Sequence, residues 1–178
     1  MSSFTIIHTG IALGTSSLAY ASYSKFGVGS ATYSKYEPAL AATTIWALLY
    51  YVFLFNQSIA GFIQLANLTT KAKKDGEKPP SLSSIKYGKS GGLPVLRASR
   101  AAGNMLEQSI PFLVSLWLHA ILVNTSDAAN LGLLWLVIRS FYPLVFGKGA
   151  LLFLVTVPNY AIIAMLLSPL VHNILTIS

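Results

Sequence analysis

"ALAATTIWALLYYVFLFNQSIAGFIQLANL", residues 39–68, contains no charged side chain. A helix crossing the hydrocarbon layer of a bilayer needs about 20 consecutive apolar residues, and this run exceeds that length. With Pro38 placed for a first helical turn, the stretch predicts a long membrane-spanning helix. Asn56 and Gln57 interrupt its apolar centre. An unpartnered amide is costly in lipid, so each is expected to meet another helix.

The rest of the 178-residue chain follows the same pattern: 54% of the residues are hydrophobic and only 10% are charged, with mean hydropathy +0.63. Soluble domains hold about 25% charged residues, so the sequence describes an integral membrane protein. Cysteine is absent. No disulfide, cysteine-ligated metal or protein thiol nucleophile is therefore possible, and sulfur chemistry would need a borrowed thiol.

Beyond residue 68 comes "TTKAKKDGEKPPSLSSIKYGKSGG", rich in Lys, Ser, Gly and Pro, which reads as a mobile loop without a core. Eight of the twelve basic residues lie between Lys71 and Arg100. The positive-inside rule places this Lys71–Lys89 loop on the cytoplasmic side and accounts for the net charge of +7 without nucleic acid. A second helix is expected from about Leu93 to Asn124, then a turn at "NTSDAAN". A third element runs from Leu131 to Phe146, "GKG" breaks it, and a fourth spans Ala150 to Ile177 with Pro158 and Pro169 inside.

On the other side of the opening stretch, Ser2 to Ser24 is uncharged but thinned by Ser, Thr and Gly. Lacking the basic residues that precede a signal-peptide core, it reads as a retained helix or a segment lying on the membrane surface. A polar connection around residues 24–38 follows. The expected architecture is thus all-α: an N-terminal apolar segment and connection over residues 1–37, and a four-helix transmembrane bundle over residues 38–178. His8, His119 and His172 are scattered without a second ligand at helical spacing. They are expected to be hydrogen-bonded helix contacts rather than a metal site, and Trp46, Trp117 and Trp135 to be packing or interfacial aromatics.

The second helix carries the polar surprise. Arg97, Arg100, Asn104, Glu107 and Pro111 recur at spacings of three and four, which places them on one stripe. Arg100 and Glu107 are two turns apart, about 10 Å along the axis, so they are poorly placed to pair with each other. Snorkelling arginines and a structural ion pair would account for part of the stripe. A polar pocket near the cytoplasmic face accounts for all of it: Arg forks onto a carboxylate, Asn donates and accepts, and Glu accepts from an ammonium group. A zwitterionic ligand suits such a set. Arg139 and Tyr142 share a face of the third helix at the same depth, which favours a pocket between helices.

"RAAGNMLEQSIPF", residues 100–112, resembles the R-A-x-x-N-x-x-E signature of the membrane-associated proteins in eicosanoid and glutathione metabolism, the MAPEG family. "RSFY", residues 139–142, is similar to the Arg and Tyr of that family's third helix, and the layout agrees over about residues 38–175. The resemblance implies a homotrimer, microsomal glutathione S-transferase-like, that binds glutathione near the cytoplasmic face of an endoplasmic reticulum or other intracellular membrane. It implies that Arg100, Asn104 and Glu107 hold the tripeptide's charged ends, with Arg139 and Tyr142 approaching from a neighbouring helix or subunit. Activity would be transfer of the thiol to lipophilic electrophiles or reduction of lipid hydroperoxides.

Departures from the family pattern touch thiol activation. Gln108 and Phe146 stand where the leukotriene-synthase-like branch has tyrosines. After Arg139 the chain has no further Arg. Activation would therefore fall to Tyr142, Arg139, Lys148 or another subunit. The alternative is a non-catalytic lipid-binding or accessory subunit of a larger membrane complex, with residues 2–24 available to a foreign partner.

Overall fold

The computed structural model describes residues 3–26, 35–87 and 89–177. Most of the polar connection and Gly88 lie outside the described residues, as do the side chains of His8 and Lys89. The described chain is helical: α1 Ser3–Phe26, α2 Glu37–Asp75, α3 Leu82–Tyr87, α4 Gly92–Leu122, α5 Thr125–Ser140, α6 Tyr142–Val145 and α7 Phe153–Ile177. Single 3₁₀ turns at Lys89–Gly91 and Gly149–Leu152 lead into α4 and α7. Four stretches are long and apolar enough to cross a membrane: Glu37–Asp75, Gly92–Leu122, Thr125–Val145 and Gly149–Thr176. The protein is a multi-pass membrane protein built as a four-helix bundle.

Helix α2 is the longest element, and its sequence sets both ends. Pro38 opens it, and Gly76 closes it in a left-handed conformation (φ 70°) with its N–H donating to the carbonyl of Ala72. Lys73 and Lys74 in the last turn face the negative end of the helix dipole. At 1.5 Å per residue its 39 residues span about 58 Å, well beyond the roughly 30 Å hydrocarbon core.

Antiparallel to it runs α4, and three side-chain bonds fix the register. Trp46 Nε1 donates to Ser109 Oγ at 3.1 Å, Gln57 Nε2 to Ser99 Oγ at 3.2 Å, and Gln64 Nε2 to the carbonyl of Ser90 at 3.3 Å. Gln57 therefore meets another helix as its position in the apolar run requires. Asn56 is buried.

The core lies where α2, α4, α5 and α7 converge. Phe112 stacks on Trp135 with ring centroids 4.0 Å apart. Beside that stack Gly132 admits a close helix approach: a Cβ there would meet Leu116 Cδ1 at 2.8 Å and the Cβ of Ala42 at 3.4 Å. The opposite faces are apolar and uncovered, with Leu48, Tyr51, Phe55, Phe62, Ile110 and Leu154 exposed. That inverted surface is what a lipid-facing bundle requires.

Pro169 in α7 is accommodated locally. Pro169 cannot donate to the carbonyl of Met165, and Ser168 Oγ donates to it instead at 3.1 Å. At the next carbonyl, Leu166, His119 of α4 supplies Nδ1 at 2.8 Å. A carbonyl only accepts, so this bond fixes the Nδ1–H form of the ring. His119 is thus a helix-contact residue, whereas His172 is exposed.

Two expectations change, and one alternative is decided. The "NTSDAAN" segment is a tight reversal followed at once by helix. Asn124 caps α5, its Oδ1 accepting from the N–H groups of Ser126 (2.8 Å) and Asp127 (3.1 Å), so Thr125 onward is already helical. The lysine-rich loop is partly ordered too. Ser81 Oγ caps α3 by accepting from Ser84 N at 3.2 Å, and Ile85 is buried against Ala60, Val95 and Ala98. Gly91 allows that packing, since a Cβ there would lie 2.6 Å from the carbonyl of Ile85. Finally, the N-terminal segment is a helix docked on α2 and α5 through the small residues Ala12, Thr15 and Ala19. Two of its hydroxyls bond back to the helix: Thr15 Oγ1 donates to Ile11 O at 2.9 Å, and Ser16 Oγ to Ala12 O at 2.8 Å.

Candidate functional site

Helix α4 brings its polar stripe to the surface beside α6. Leu96, Ser99, Arg100, Gly103, Asn104 and Glu107 form one wall of a cleft of about 560 Å³, and Tyr142 and Phe146 form the other. Gly103 leaves room between the charged side chains, since nothing lies within 4 Å of where its Cβ would be. Arg100 and Glu107 are exposed to the cleft mouth, and neither has an ion-pair partner among the described residues. Their charges remain available to a ligand.

Behind this wall lies Arg139. It is 1% exposed and is not a cleft-lining residue. Its Nη2 donates to Asn104 Oδ1. The guanidinium carbon lies 4.6 Å from the Tyr142 ring centroid and 5.7 Å from that of Trp135. No carboxylate pairs with it among the described residues; a neutral oxygen and two aromatic faces meet the buried charge. Arg only donates, so the Asn104 oxygen must face it and the amide Nδ2 must point outward. There Nδ2 donates to Glu107 Oε2 at 3.5 Å. The three residues form a chain from a buried cation through an amide to an exposed carboxylate.

Of the residues read from sequence, Arg100, Asn104, Glu107 and Tyr142 thus share one cleft, with Arg139 packed behind Asn104 and Tyr142. Arg97 is directed elsewhere. It lies against the turn after α6, where a Cβ on Gly147 (φ 79°) would be 3.7 Å from both its Nε and Nη2. Pro111 is exposed and outside the cleft, and Lys148, on the turn beyond, does not line it either. Sequence reasoning passed over Ser99, Gly103 and the link between Gln108 and Tyr160. Gln108 Nε2 donates to the Tyr160 hydroxyl at 3.2 Å, joining α4 to α7 next to Glu107. A tyrosine in the apolar run after Pro158 was the available signal, but its partner lies 52 residues away on another helix.

Comparison with known families adds the deciding observation: residues 39–170 match the MAPEG family. The chain belongs to the MAPEG family. The match includes every cleft residue and runs from the start of α2 to the last turns of α7. No curated protein and no solved structure matches the chain. MAPEG membership is consistent with a role in glutathione-related or eicosanoid metabolism within a membrane. Helix α1 lies outside the family match, so this MAPEG bundle carries an added helix against α2 and α5.

Proposed function

We propose that this MAPEG protein is a glutathione-dependent transferase or peroxidase acting on lipophilic electrophiles or lipid hydroperoxides, and that it works as a homotrimer in an intracellular membrane. The observation that carries the reading is the shared cleft of Arg100, Asn104, Glu107 and Tyr142. Its volume of about 560 Å³ falls within the range usual for small-molecule sites. The donor set suits glutathione: Arg100 can take a carboxylate, Glu107 the ammonium group, and the outward Asn104 amide a carbonyl or carboxylate oxygen. Arg139 acts through these residues by holding Asn104 and Tyr142 in place.

Glutathione supplies the thiol. Of the two hydroxyl-bearing residues lining the cleft, Ser99 and Tyr142, Tyr142 is the group assigned to favour thiolate, with the buried charge of Arg139 under its ring. In transfer, a sulfur–carbon bond forms as the electrophile's leaving group departs with its electron pair. In peroxide reduction, two thiols become a disulfide while the O–O bond is cleaved to alcohol and water. Leu96, an exposed apolar residue of the cleft wall, offers such substrates a contact from the bilayer.

A second reading is a MAPEG-like accessory subunit that keeps the cleft but not thiol activation. It is favoured by the makeup of the cleft, which among the described residues contains none of α7 and no cation besides Arg100.

Glutathione titration of the detergent-purified protein by calorimetry, with thiolate absorbance followed in the same sample, tests the proposal. Binding with thiolate formation, both lost in Arg100→Ala and Glu107→Ala, supports the enzyme. Binding without thiolate supports the accessory subunit. Absence of binding by the folded oligomer refutes both uses of the cleft.

A further inference from the structure

The hydroxyls of Thr43, Ser58 and Ser109 turn back to the carbonyl one helical turn earlier, donating to Ala39 O at 2.8 Å, Leu54 O at 3.2 Å and Met105 O at 2.7 Å. Such a bond gives a helical hydroxyl proton an acceptor of its own. Ser99 of α4 departs from the pattern. Its Oγ accepts from Gln57 Nε2 at 3.2 Å, as Ser109 Oγ accepts from Trp46 Nε1 at 3.1 Å. It makes no return bond to Val95 O, however, and its O–H has no acceptor among the described residues. The two serines hold equivalent places between α2 and α4 and differ in where the hydroxyl proton goes. Ser109 is buried, whereas Ser99 is half-buried on the wall of the cleft beside Arg100. Gln57 does not line that cleft. It engages one lone pair of Ser99 from behind and leaves the O–H free to donate into the cleft.

We propose that Ser99 is a specificity-determining residue, donating its hydroxyl to the same ligand carboxylate that Arg100 takes. The inference rests on the glutathione reading of this cleft and chooses between the tripeptide's two carboxylates. Glu107, assigned the ammonium group, stands two turns and about 10 Å further along α4. The α-carboxylate of the γ-glutamyl end shares a carbon with that ammonium and stays beside it. The glycine carboxylate, at the far end of an extended tripeptide, is the one that reaches Arg100. Ser99 and Arg100 are consecutive, and a carboxylate has two oxygens, one for each donor. Around the helix axis, Ser99 and Asn104 fall on opposite sides of Arg100. The Ser99 hydroxyl thus serves the side of the carboxylate that the Asn104 amide, held by Arg139, does not. Gln57 is a positioning residue that acts through Ser99.

Calorimetric titration of the detergent-purified protein with glutathione and with γ-glutamylcysteinyl ethylamide tests this. The ethylamide keeps the thiol and the γ-glutamyl end but lacks the glycine carboxylate. A hydrogen bond to a charged group is of the stronger kind, so Ser99→Ala should weaken glutathione binding about tenfold. Binding of the ethylamide should be unchanged. Gln57→Leu frees Ser99 to turn back to Val95 O, and should weaken glutathione about threefold, with no further loss when Ser99 is already Ala. Thiolate absorbance at saturating glutathione should be the same in the wild type and Ser99→Ala, because the hydroxyl serves the carboxylate and not the sulfur. Equal weakening of the two ligands, undiminished glutathione affinity in Ser99→Ala, loss of thiolate at saturation, or a Gln57→Leu loss that persists beside Ser99→Ala would each overturn the proposal. A wild type that binds no glutathione removes the functional reading with it, whereas binding that Ser99→Ala leaves intact removes this proposal alone.

Discussion

Asn104 and Arg139 should be energetically inseparable. Replacing Asn104 by Leu removes the only oxygen among the described residues that accepts from a guanidinium that is 1% exposed, leaving the charge to the Tyr142 and Trp135 rings. Hydrogen bonds to charged groups contribute roughly 1.5–3 kcal/mol, and because Asn104 is itself half-buried the lower part of that range applies, about 2 kcal/mol. Arg139→Met strands the Asn104 oxygen and forfeits two cation–π contacts, also about 2 kcal/mol. Making both changes together removes the charge and its acceptor at once, and such paired replacements are often close to neutral. The double variant should therefore be more stable than the summed single costs by about 1–3 kcal/mol. Equilibrium unfolding in mixed micelles, followed by far-ultraviolet circular dichroism across the four proteins, measures this coupling. Costs that add to within about 0.5 kcal/mol would refute the buried pair.

Other positions give sharper local outcomes. Gly132→Val should destabilise the bundle by about 1–3 kcal/mol, because its side chain must displace Leu116 and Ala42; thermal unfolding in detergent reads the loss. Asn124→Ala removes the cap of α5 and should cost about 1 kcal/mol in the same assay. Tyr160→Phe leaves the Gln108 amide without its acceptor, and should lower thermal stability by about 1 kcal/mol in the same assay. Gly91→Ala should loosen α3 from its seat, seen as faster amide exchange at Ile85, since the added methyl collides with a backbone carbonyl rather than a side chain.

The bundle was legible because lipid imposes a simple rule: charge-free runs of sufficient length become helices, and charges gather where the chain leaves the membrane. The stripe on α4 was legible because helical periodicity is local. Depth within the protein was not. Arg139 and Arg100 carry the same charge at the same membrane level, yet one is buried under aromatic rings and the other opens to the cleft, and only the packing of α5 against α4 decides which. Boundaries failed where one side chain outweighed composition. Asn124 turns a polar, turn-like segment into helix, and Ile85 gives a lysine-rich loop an apolar anchor. The Gln108–Tyr160 contact was invisible because it joins helices far apart in sequence.

The three bonds that tie α2 to α4 and to the 3₁₀ turn leading into it have a further consequence. Bilayers differ in thickness, and helices answer by tilting or by drawing their ends toward the interface. Here Trp46–Ser109, Gln57–Ser99 and Gln64–Ser90 act like the pins of a ruler, so α4 cannot slide along α2 without breaking all three. The height of Arg100 above the midplane is thereby measured from the protein's own longest helix. A thinner or thicker membrane can lean the whole bundle, but the cleft keeps its distance from the first lysine of α2.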